Sequence, residues 1–125
     1  MKKTLPFSIP FTDLKNSVLG KSYELSLVFI DSKVSRRLNR TYRGKDKSTN
    51  VLSFPLSNKS GEVLIDLVTA KKELKTFGMN FKDFVSLLFI HGILHLKGMT
   101  HGAKMEGQEK KLLKLLNGKT NRSRN

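Results

Sequence analysis

The chain has 125 residues and a formal net charge of +14, from 24 lysine and arginine residues against 10 aspartate and glutamate residues. This length suits one domain with a single core, and the absence of cysteine excludes disulfides and thiolate zinc sites. The positive charge indicates a polyanionic partner, and nucleic acid is a better candidate than a membrane. No apolar run is long enough to span a membrane and no secretory signal follows the first lysines, so we expect a soluble, cytoplasmic protein.

The first half of the chain is predicted to mix strands and helices. Residues 5–9 form a possible first strand, and Thr12 could cap a short helix that ends at Gly20. Alternating apolar and polar side chains predict another strand over residues 23–30.

A second helix is expected to begin at a cap formed by Ser32. Its apolar residues Val34 and Leu38 are predicted to face inward. Another face of this helix carries arginines at i, i+4 and i+7, namely Arg36, Arg40 and Arg43. This stripe is either a solvated surface or a track for the phosphates of a nucleic acid.

Two short apolar runs, over residues 51–56 and 62–67, predict a pair of strands joined by a tight turn. A helix over residues 69–77 follows. The most clearly predicted helix spans residues 81–97, because Asn80 begins a capping-box pattern and most sides of the segment are apolar. We therefore expect it to be the buried central helix.

A last helix is predicted over residues 104–116. Its inner face is predicted to carry Leu112, Leu115 and Leu116. Residues 119–125 are polar and basic and are expected to form a disordered tail, which leaves residues 1–118 as a single domain.

All three histidines of the chain fall within one eleven-residue segment of the sequence. His91 and His95 are four residues apart and so share one face of a helix. Gly98 can end that helix in the left-handed conformation and turn the chain so that His101 meets the other two. Three imidazoles with no obvious fourth ligand are typical of an open, catalytic zinc site, so we predict one Zn²⁺ per chain and a hydrolytic reaction.

Two segments resemble one known family. The segment His91-Gly-Ile-Leu-His-Leu-Lys-Gly-Met-Thr-His101 resembles the H-G-x-L-H-L-x-G-Y-D-H signature of the YbeY family of bacterial rRNA maturation factors, which are metal-dependent endoribonucleases. The segment Leu38-Asn-Arg-Thr-Tyr-Arg-Gly-Lys-Asp-Lys-Ser-Thr-Asn-Val-Leu-Ser-Phe-Pro55 is similar to the family pattern L-N-x-x-Y-R-x-K-D-x-P-T-[DN]-V-L-S-F-P. The resemblance covers roughly residues 31–116.

The resemblance implies an α+β fold, in which a small mixed β-sheet of about four strands packs with about five helices and the histidine helix lies behind the cleft. It also implies a single-strand-specific endoribonuclease that acts in rRNA maturation, near the 3′ end of 16S rRNA, and in ribosome quality control. The partners would then be RNA, especially rRNA precursors, and the small ribosomal subunit, with no membrane.

The same resemblance assigns roles to individual residues. The three histidines match the zinc ligands of the family, and Arg43 matches an arginine of its active site that would bind an RNA phosphate in a bidentate way. The complete set of residues predicted to bind RNA is Arg36, Arg40, Arg43, Lys45 and Lys47.

The chain departs from the family pattern at a few positions. Met99 and Thr100 replace Tyr-Asp before the third histidine, Ser48 replaces a proline, and Glu62 replaces an aspartate. We therefore expect the metal ligands to be kept, but a carboxylate that could orient a ligand or a water to be missing beside the metal. Three routes for the proton stay open: a metal-activated water alone, Glu62 if it folds toward the metal, or an RNA 2′-hydroxyl as the attacking group.

Two other classes of function are compatible with the histidine pattern. The first is a non-enzymatic ribosome-binding factor in which the metal only stabilises the fold. The second is a metalloprotease, because the metzincin proteases share the spacing His-x3-His-x5-His. The protease is disfavoured because Gly92 stands where those enzymes have their general-base glutamate.

Overall fold

A computed structural model describes residues 5–123 of the chain. These residues form an α+β fold of five helices and one three-stranded mixed sheet, which confirms the predicted fold class with one strand fewer than expected. In chain order the elements are α1 (Phe11–Leu19), β1 (Glu24–Phe29), α2 (Ser32–Arg43), β2 (Val51–Ser57), β3 (Ser60–Ile65), α3 (Leu67–Phe77), α4 (Phe81–Leu96) and α5 (Ala103–Ser123).

Strand β3 is the centre of the sheet. It pairs in parallel with β1 and antiparallel with β2, giving the order β1-β3-β2. Val63 and Ile65 on β3 are completely buried, as expected for a central strand covered by helices. The predicted pair of strands joined by a tight turn is thus confirmed as β2 and β3.

The segment over residues 5–9 is not a strand, so that prediction was wrong. Its apolar side chains are buried by a helix instead of a sheet: the ring of Phe7 meets the ring of Phe81 edge to face, with centroids 5.7 Å apart, and Ile9 joins the core. Helix α1 then begins at Phe11 after Pro10, so Thr12 lies inside the helix and is not its cap. A short apolar run has the same composition whether it pairs in a sheet or packs against a helix, so the sequence pattern did not separate the two. Proline lacks the N–H that a paired strand needs, which disfavours a strand at this point.

Helix α4 is the buried centre of the fold, as predicted. Nine of its 16 residues are buried, and it packs against β2, β3, α1, α3 and α5. The side chain of Asn80 caps its first turn by accepting a hydrogen bond from the backbone N–H of Asp83 at 2.8 Å. At Gly92 the helix lies so close to the sheet that an added Cβ would sit 3.0 Å from a methyl group of Val63.

Helix α2 differs from its prediction in its cap and in its buried face. Asp31, and not Ser32, caps it by accepting a hydrogen bond from the N–H of Val34 at 2.9 Å. The most buried side chains of α2 are the polar Ser35 and Asn39, whereas Val34 and Leu38 are only half-buried. The buried face is polar because a buried aspartate of the α3 cap accepts a hydrogen bond from Ser35.

Helix α5 packs on α4, and its buried apolar side chains include Met105 and Leu116, which are 1% and 9% exposed. Leu115 is 56% exposed, so its predicted inward orientation was wrong. The helix continues to Ser123 and overlaps the predicted tail, while residues 124–125 lie outside the described residues. The boundary between a domain and a disordered tail at residue 118 therefore stays a prediction.

No single helix in residues 5–123 has both the length and the apolar character needed to cross a membrane. Helices α3 and α4, which meet at a bend of 110°, pass that test only as a pair, by length and composition.

Candidate metal centre

The histidine cluster, His91, His95 and His101, forms where α4 ends and the chain turns back toward α5. The turn is made by Gly98, whose φ of 105° lies in the region that favours glycine. The N–H of Gly98 donates to the carbonyl of His95 at 2.9 Å and the N–H of Met99 donates to the carbonyl of Leu94 at 3.0 Å. These two bonds are the Schellman motif that ends a helix, so the predicted role of Gly98 is confirmed.

This turn brings the three imidazoles together, as their spacing predicted. One ring nitrogen from each histidine lies within 4.8 Å of the other two, and the ring centroids are 4.5 to 4.9 Å apart. His91 and His95 are half-buried on α4, whereas His101 is exposed on the turn. Two ligands on a rigid helix and a third on the following turn make a site that is open on one side.

The hydrogen bonds around the cluster orient the rings of His91 and His95. The Nδ1 of His91 lies 2.5 Å from a carboxylate oxygen of Glu109, and the Nδ1 of His95 lies 3.0 Å from the backbone carbonyl of Met99. Because carboxylate and carbonyl oxygens can only accept, each Nδ1 must carry the proton in the neutral ring, and each Nε2 must present a lone pair.

The two Nε2 atoms of His91 and His95 face each other at 3.1 Å. With both protons on Nδ1, no hydrogen lies between them, so two lone pairs repel unless a cation binds both. The chemistry of the residues present therefore fits a metal ion bound by three neutral imidazoles.

The pKa of His95 supports the neutral form. Burial lowers this pKa, and the neighbouring rings of His91 and His101 lower it further. The hydrogen bond to Met99 acts in the opposite direction, and the positive charge of Arg43 makes a smaller lowering contribution. A histidine kept neutral is ready to donate its lone pair to a metal.

Glu109 is the main site residue that the sequence analysis missed. The expectation that no carboxylate orients a ligand of the site was wrong, because Glu109 of α5 contacts the ring of His91. Met105 is buried, and Glu109, four residues later, shares its helix face and reaches His91. The sequence contains a pattern that could have revealed it: Glu109 lies at helical spacing between Met105, Leu112 and Leu116, so it is a charged residue on an otherwise apolar helix face.

The histidine cluster opens into a cleft of about 740 Å³. Its remaining walls come from α2, β2, α3, α5 and the loop between α2 and β2, and the lining includes Arg43, Lys45, Asn50, Ser53, Phe77 and Glu109. The guanidinium of Arg43 lies 3.4 Å from the carbonyl oxygen of Val51, between the end of α2 and the start of β2. The cleft thus combines basic side chains with the three imidazoles.

The other basic residues predicted to bind RNA lie outside this cleft lining. Arg36 donates to both carboxylate oxygens of Asp46, at 2.9 and 3.2 Å, and Arg40 lies 3.6 Å from the same carboxylate. Lys47 lies with Arg36 beside a separate concavity. The structure therefore brings only Arg43 and Lys45 of the predicted set to the histidine cluster, and RNA contacts by the other three stay a prediction.

Two positions discussed as general bases face away from the cleft. Gly92 lies against Val63 of β3, so the position of the protease glutamate points into the core. Glu62 is adjacent to Val63 on the same strand, and neighbouring side chains of a strand point to opposite faces of the sheet. Glu62 is absent from the cleft lining, so it does not fold toward the metal site.

Comparison with known proteins identifies the family. The family model described as endoribonuclease YbeY matches residues 6–117. A protein named Endoribonuclease YbeY from Campylobacter jejuni is 40% identical over 109 residues, which cover 81% of both chains. One of the same name from Aquifex aeolicus is 39% identical over 114 residues, covering 86% of this chain and 75% of its own.

A solved structure shares the fold. A Thermotoga maritima protein, solved in solution, aligns with a TM-score of 0.64 at 23% sequence identity, covering 90% of this chain and 83% of its own. The family match, the identity to its members and the shared arrangement of helices and strands agree with the motifs at the histidine cluster. The chain belongs to the endoribonuclease YbeY family.

Proposed function

We propose that this chain is a zinc-dependent endoribonuclease that cuts single-stranded RNA. The observation that carries the proposal is the pair of Nε2 atoms on His91 and His95, 3.1 Å apart, which open together with His101 into a basic cleft. Three imidazole nitrogens are a common ligand set of catalytic zinc. The basic lining favours a substrate that carries phosphate, and membership of an endoribonuclease family favours RNA.

Some residues of the cleft would bind the metal ion, and others would bind the substrate. The three histidines would hold the ion, and Glu109 would fix the ring of His91. When bound, zinc supplies Lewis acidity to a water molecule and to a phosphoryl oxygen. Arg43 would hold the phosphate with two parallel hydrogen bonds, which the ammonium group of a lysine cannot reproduce.

The nucleophile would be water or a 2′-hydroxyl of the RNA. Among the described residues that line the cleft, Glu109 is the only carboxylate, and His91 already engages it. Mass spectrometry of the cleaved ends separates the two routes. A 2′,3′-cyclic phosphate identifies the 2′-hydroxyl as the attacking group, whereas its absence throughout the reaction favours water.

The physiological substrate would be precursor rRNA near the 3′ end of the small-subunit rRNA, processed in the cytoplasm as part of ribosome maturation and quality control. The net charge of +14 supports a large polyanionic partner. Binding that depends on phosphate contacts should weaken steeply with added salt, because counterion release contributes to its free energy. Salt-independent binding would contradict this assignment.

The test is cleavage of one RNA sequence, single-stranded or annealed to its complement, by protein whose metal content has been measured. We expect cleavage of the single strand, its loss with a chelator and its recovery with added zinc. Arg43→Ala should keep the metal but lower cleavage at least about tenfold, since it removes a bidentate phosphate contact. Arg37→Ala changes an exposed arginine of the same helix outside the cleft lining and is the matched control.

The non-enzymatic alternative predicts a different response to the chelator. If the metal only stabilised the fold, stripping it would unfold the protein. The core is built from apolar side chains of α1, α4 and the sheet, so we expect the far-ultraviolet circular dichroism to persist. Full cleavage by metal-free protein, or digestion of casein in place of RNA, would overturn the proposed function.

A further inference from the structure

Phe77 is an exposed aromatic side chain in the wall of the histidine cleft. It is the last residue of α3 and is 53% exposed. It lines the same cleft as His91, His95 and Arg43. Five other large hydrophobic side chains of the described residues are exposed, and none of them appears in this cleft lining: Val28, Tyr42, Leu56, Val68 and Leu115.

The ring of Phe77 is held in place from one side. It stacks on the ring of Phe84, with centroids 5.0 Å apart and an angle of 28° between the planes. Phe84 belongs to α4 and is only 1% exposed, so it is fixed in the core. Since one face of the Phe77 ring is covered by a rigid neighbour, the exposed area lies on the remaining face and edges.

The backbone around Phe77 is fixed as well. Gly78 follows it in the left-handed conformation, with φ of 63°, and its N–H donates to the carbonyl of Leu74 at 3.0 Å. This αL cap ends α3 at a defined residue. The ring therefore presents a preorganised apolar face, which needs little ordering when a ligand binds.

We propose that Phe77 is a stacking platform for one nucleobase of the RNA strand whose phosphate is held in the same cleft. The inference rests on the proposed nuclease function. A base lying on Phe77 would extend the stack that Phe77 and Phe84 already form, while Arg43 and Lys45 meet the sugar-phosphate backbone. Proteins bind single strands in this way, by aromatic rings for the bases and positive charge for the backbone.

The subsite gives a physical reason for a preference for single strands. A base in a duplex has both faces covered by its neighbours, so it cannot lie on Phe77 without unstacking. A base in a single strand is free to leave the strand and stack on the protein. Because every base has a flat face, the subsite would select for strandedness and only weakly for sequence.

The first experiment compares Phe77→Ala, Phe77→Leu and Phe77→Trp with the wild type. Binding and cleavage of a short single-stranded RNA are measured with zinc-loaded protein. Loss of one stacked base should weaken binding and raise KM about tenfold, with little change in kcat. Phe77→Leu keeps apolar volume without a flat ring and should behave like the alanine variant, whereas Phe77→Trp should retain tight binding.

A second measurement locates the base. Substrates that each lack one base are tested with wild-type protein and with Phe77→Ala. In the wild type, one position should show a loss of affinity, and that loss should disappear in Phe77→Ala, because the two changes remove the same contact. Val68→Ala, which changes an exposed apolar residue of the same helix, should leave every substrate unaffected.

The outcomes separate the subsite from the nuclease function. Wild-type protein that neither binds nor cuts single-stranded RNA would overturn the proposed function and the subsite together. If the wild type cuts RNA but Phe77→Ala matches it, or if Phe77→Leu binds as well as the wild type, the stacking subsite alone is wrong. Zinc content and melting temperature are measured for each variant, because binding and cleavage can be compared only between folded, zinc-loaded proteins.

Discussion

Two clusters of polar side chains in this protein have opposite hydrogen-bonding states. In the Asp66 cluster, a fully buried carboxylate accepts four hydrogen bonds of 2.6 to 3.2 Å from the N–H of Thr69 and the hydroxyls of Ser32, Ser35 and Thr69. In the histidine cluster, two Nε2 lone pairs face each other at 3.1 Å without a proton between them. The acceptors of the first cluster are satisfied by donors of the protein itself, whereas the lone pairs of the second are arranged to bind a cation.

The pKa of Asp66 and the pKa of His95 are both lowered, but for different reasons. Burial raises the pKa of Asp66, and the hydrogen bonds from Ser35, Thr69 and Ser32 outweigh it and keep that pKa below its usual value. These donors stabilise the charged form. Burial and the neighbouring imidazoles lower the pKa of His95, which destabilises the charged form and keeps the lone pair available.

A polar cluster that stabilises the fold thus differs from one that binds a ligand. Buried polar groups that have satisfied one another hold the fold together. Hydrogen-bond acceptors that face one another without a donor between them lower the stability of the fold. Such an arrangement is typical of a site where a ligand binds the acceptors. Mutation of the Asp66 cluster should therefore lower stability, and mutation of the histidine cluster should lower metal binding. Variants of the two clusters with the same effects would contradict this difference.

The largest effect is expected for His95→Ala. Removing one of three ligands should reduce the metal content to a trace and abolish RNA cleavage, because a stable zinc site needs all three imidazoles. Metal analysis by mass spectrometry and the cleavage assay measure the two losses. The metal-free variant should melt close to metal-free wild type, since the His95 ring is only half-buried and donates one hydrogen bond, to the carbonyl of Met99. Lost cleavage with full metal content would contradict the assignment.

The Asp66 cluster should respond in the opposite way. Asp66→Ala removes the cap of α3 and the acceptor of four hydrogen bonds, so the free energy of unfolding should fall by about 3 kcal/mol. Urea denaturation measures this change, and the zinc content per folded molecule should stay at the wild-type level. Asp46→Ala is the matched control, because it breaks only exposed ion pairs, with Arg36 and Arg40, and should leave stability nearly unchanged.

Acidification tests the same carboxylate. Because its pKa is lower in the folded protein, Asp66 stabilises the fold above its ordinary pKa of about 3.9. That contribution is lost as the pH falls through the lower pKa of the folded state. The stability difference between the wild type and Asp66→Ala should therefore shrink at low pH, and a constant difference would show that packing and not charge is responsible.

The sequence predicted the histidine cluster well because its determinants are local. The cap at Asn80, the four-residue spacing of His91 and His95, and the turn at Gly98 all act within one helix and its end. Local hydrogen bonds and helix periodicity are enough to bring the three imidazoles together.

The parts that sequence analysis missed depend on contacts between distant elements. The wrong strand over residues 5–9 and the wrong orientation of Leu115 both came from apolar residues whose partner was unknown. The polar face of α2 is buried because Ser35 meets Asp66, 31 residues away in the chain. Glu109 belongs to the same category, since only the way α5 packs on α4 brings its carboxylate to His91.

Glu109 offers the sharpest test, because it links the two kinds of cluster: it satisfies one nitrogen of His91 and thereby leaves the other for the metal. Glu109→Ala should weaken zinc affinity about 10- to 100-fold in competition with a chromophoric chelator, as is usual for the partner of a metal-bound histidine. The zinc affinity of Glu109→Gln should lie between those of the wild type and Glu109→Ala, because the amide oxygen still accepts a hydrogen bond from Nδ1 but carries no charge. Glu106→Ala, which changes an exposed carboxylate in the first turn of α5, is the matched control. With saturating zinc, cleavage by Glu109→Ala should largely recover, since Glu109 orients a ligand and does not itself bind the metal; cleavage that stays lost would instead assign Glu109 to the reaction.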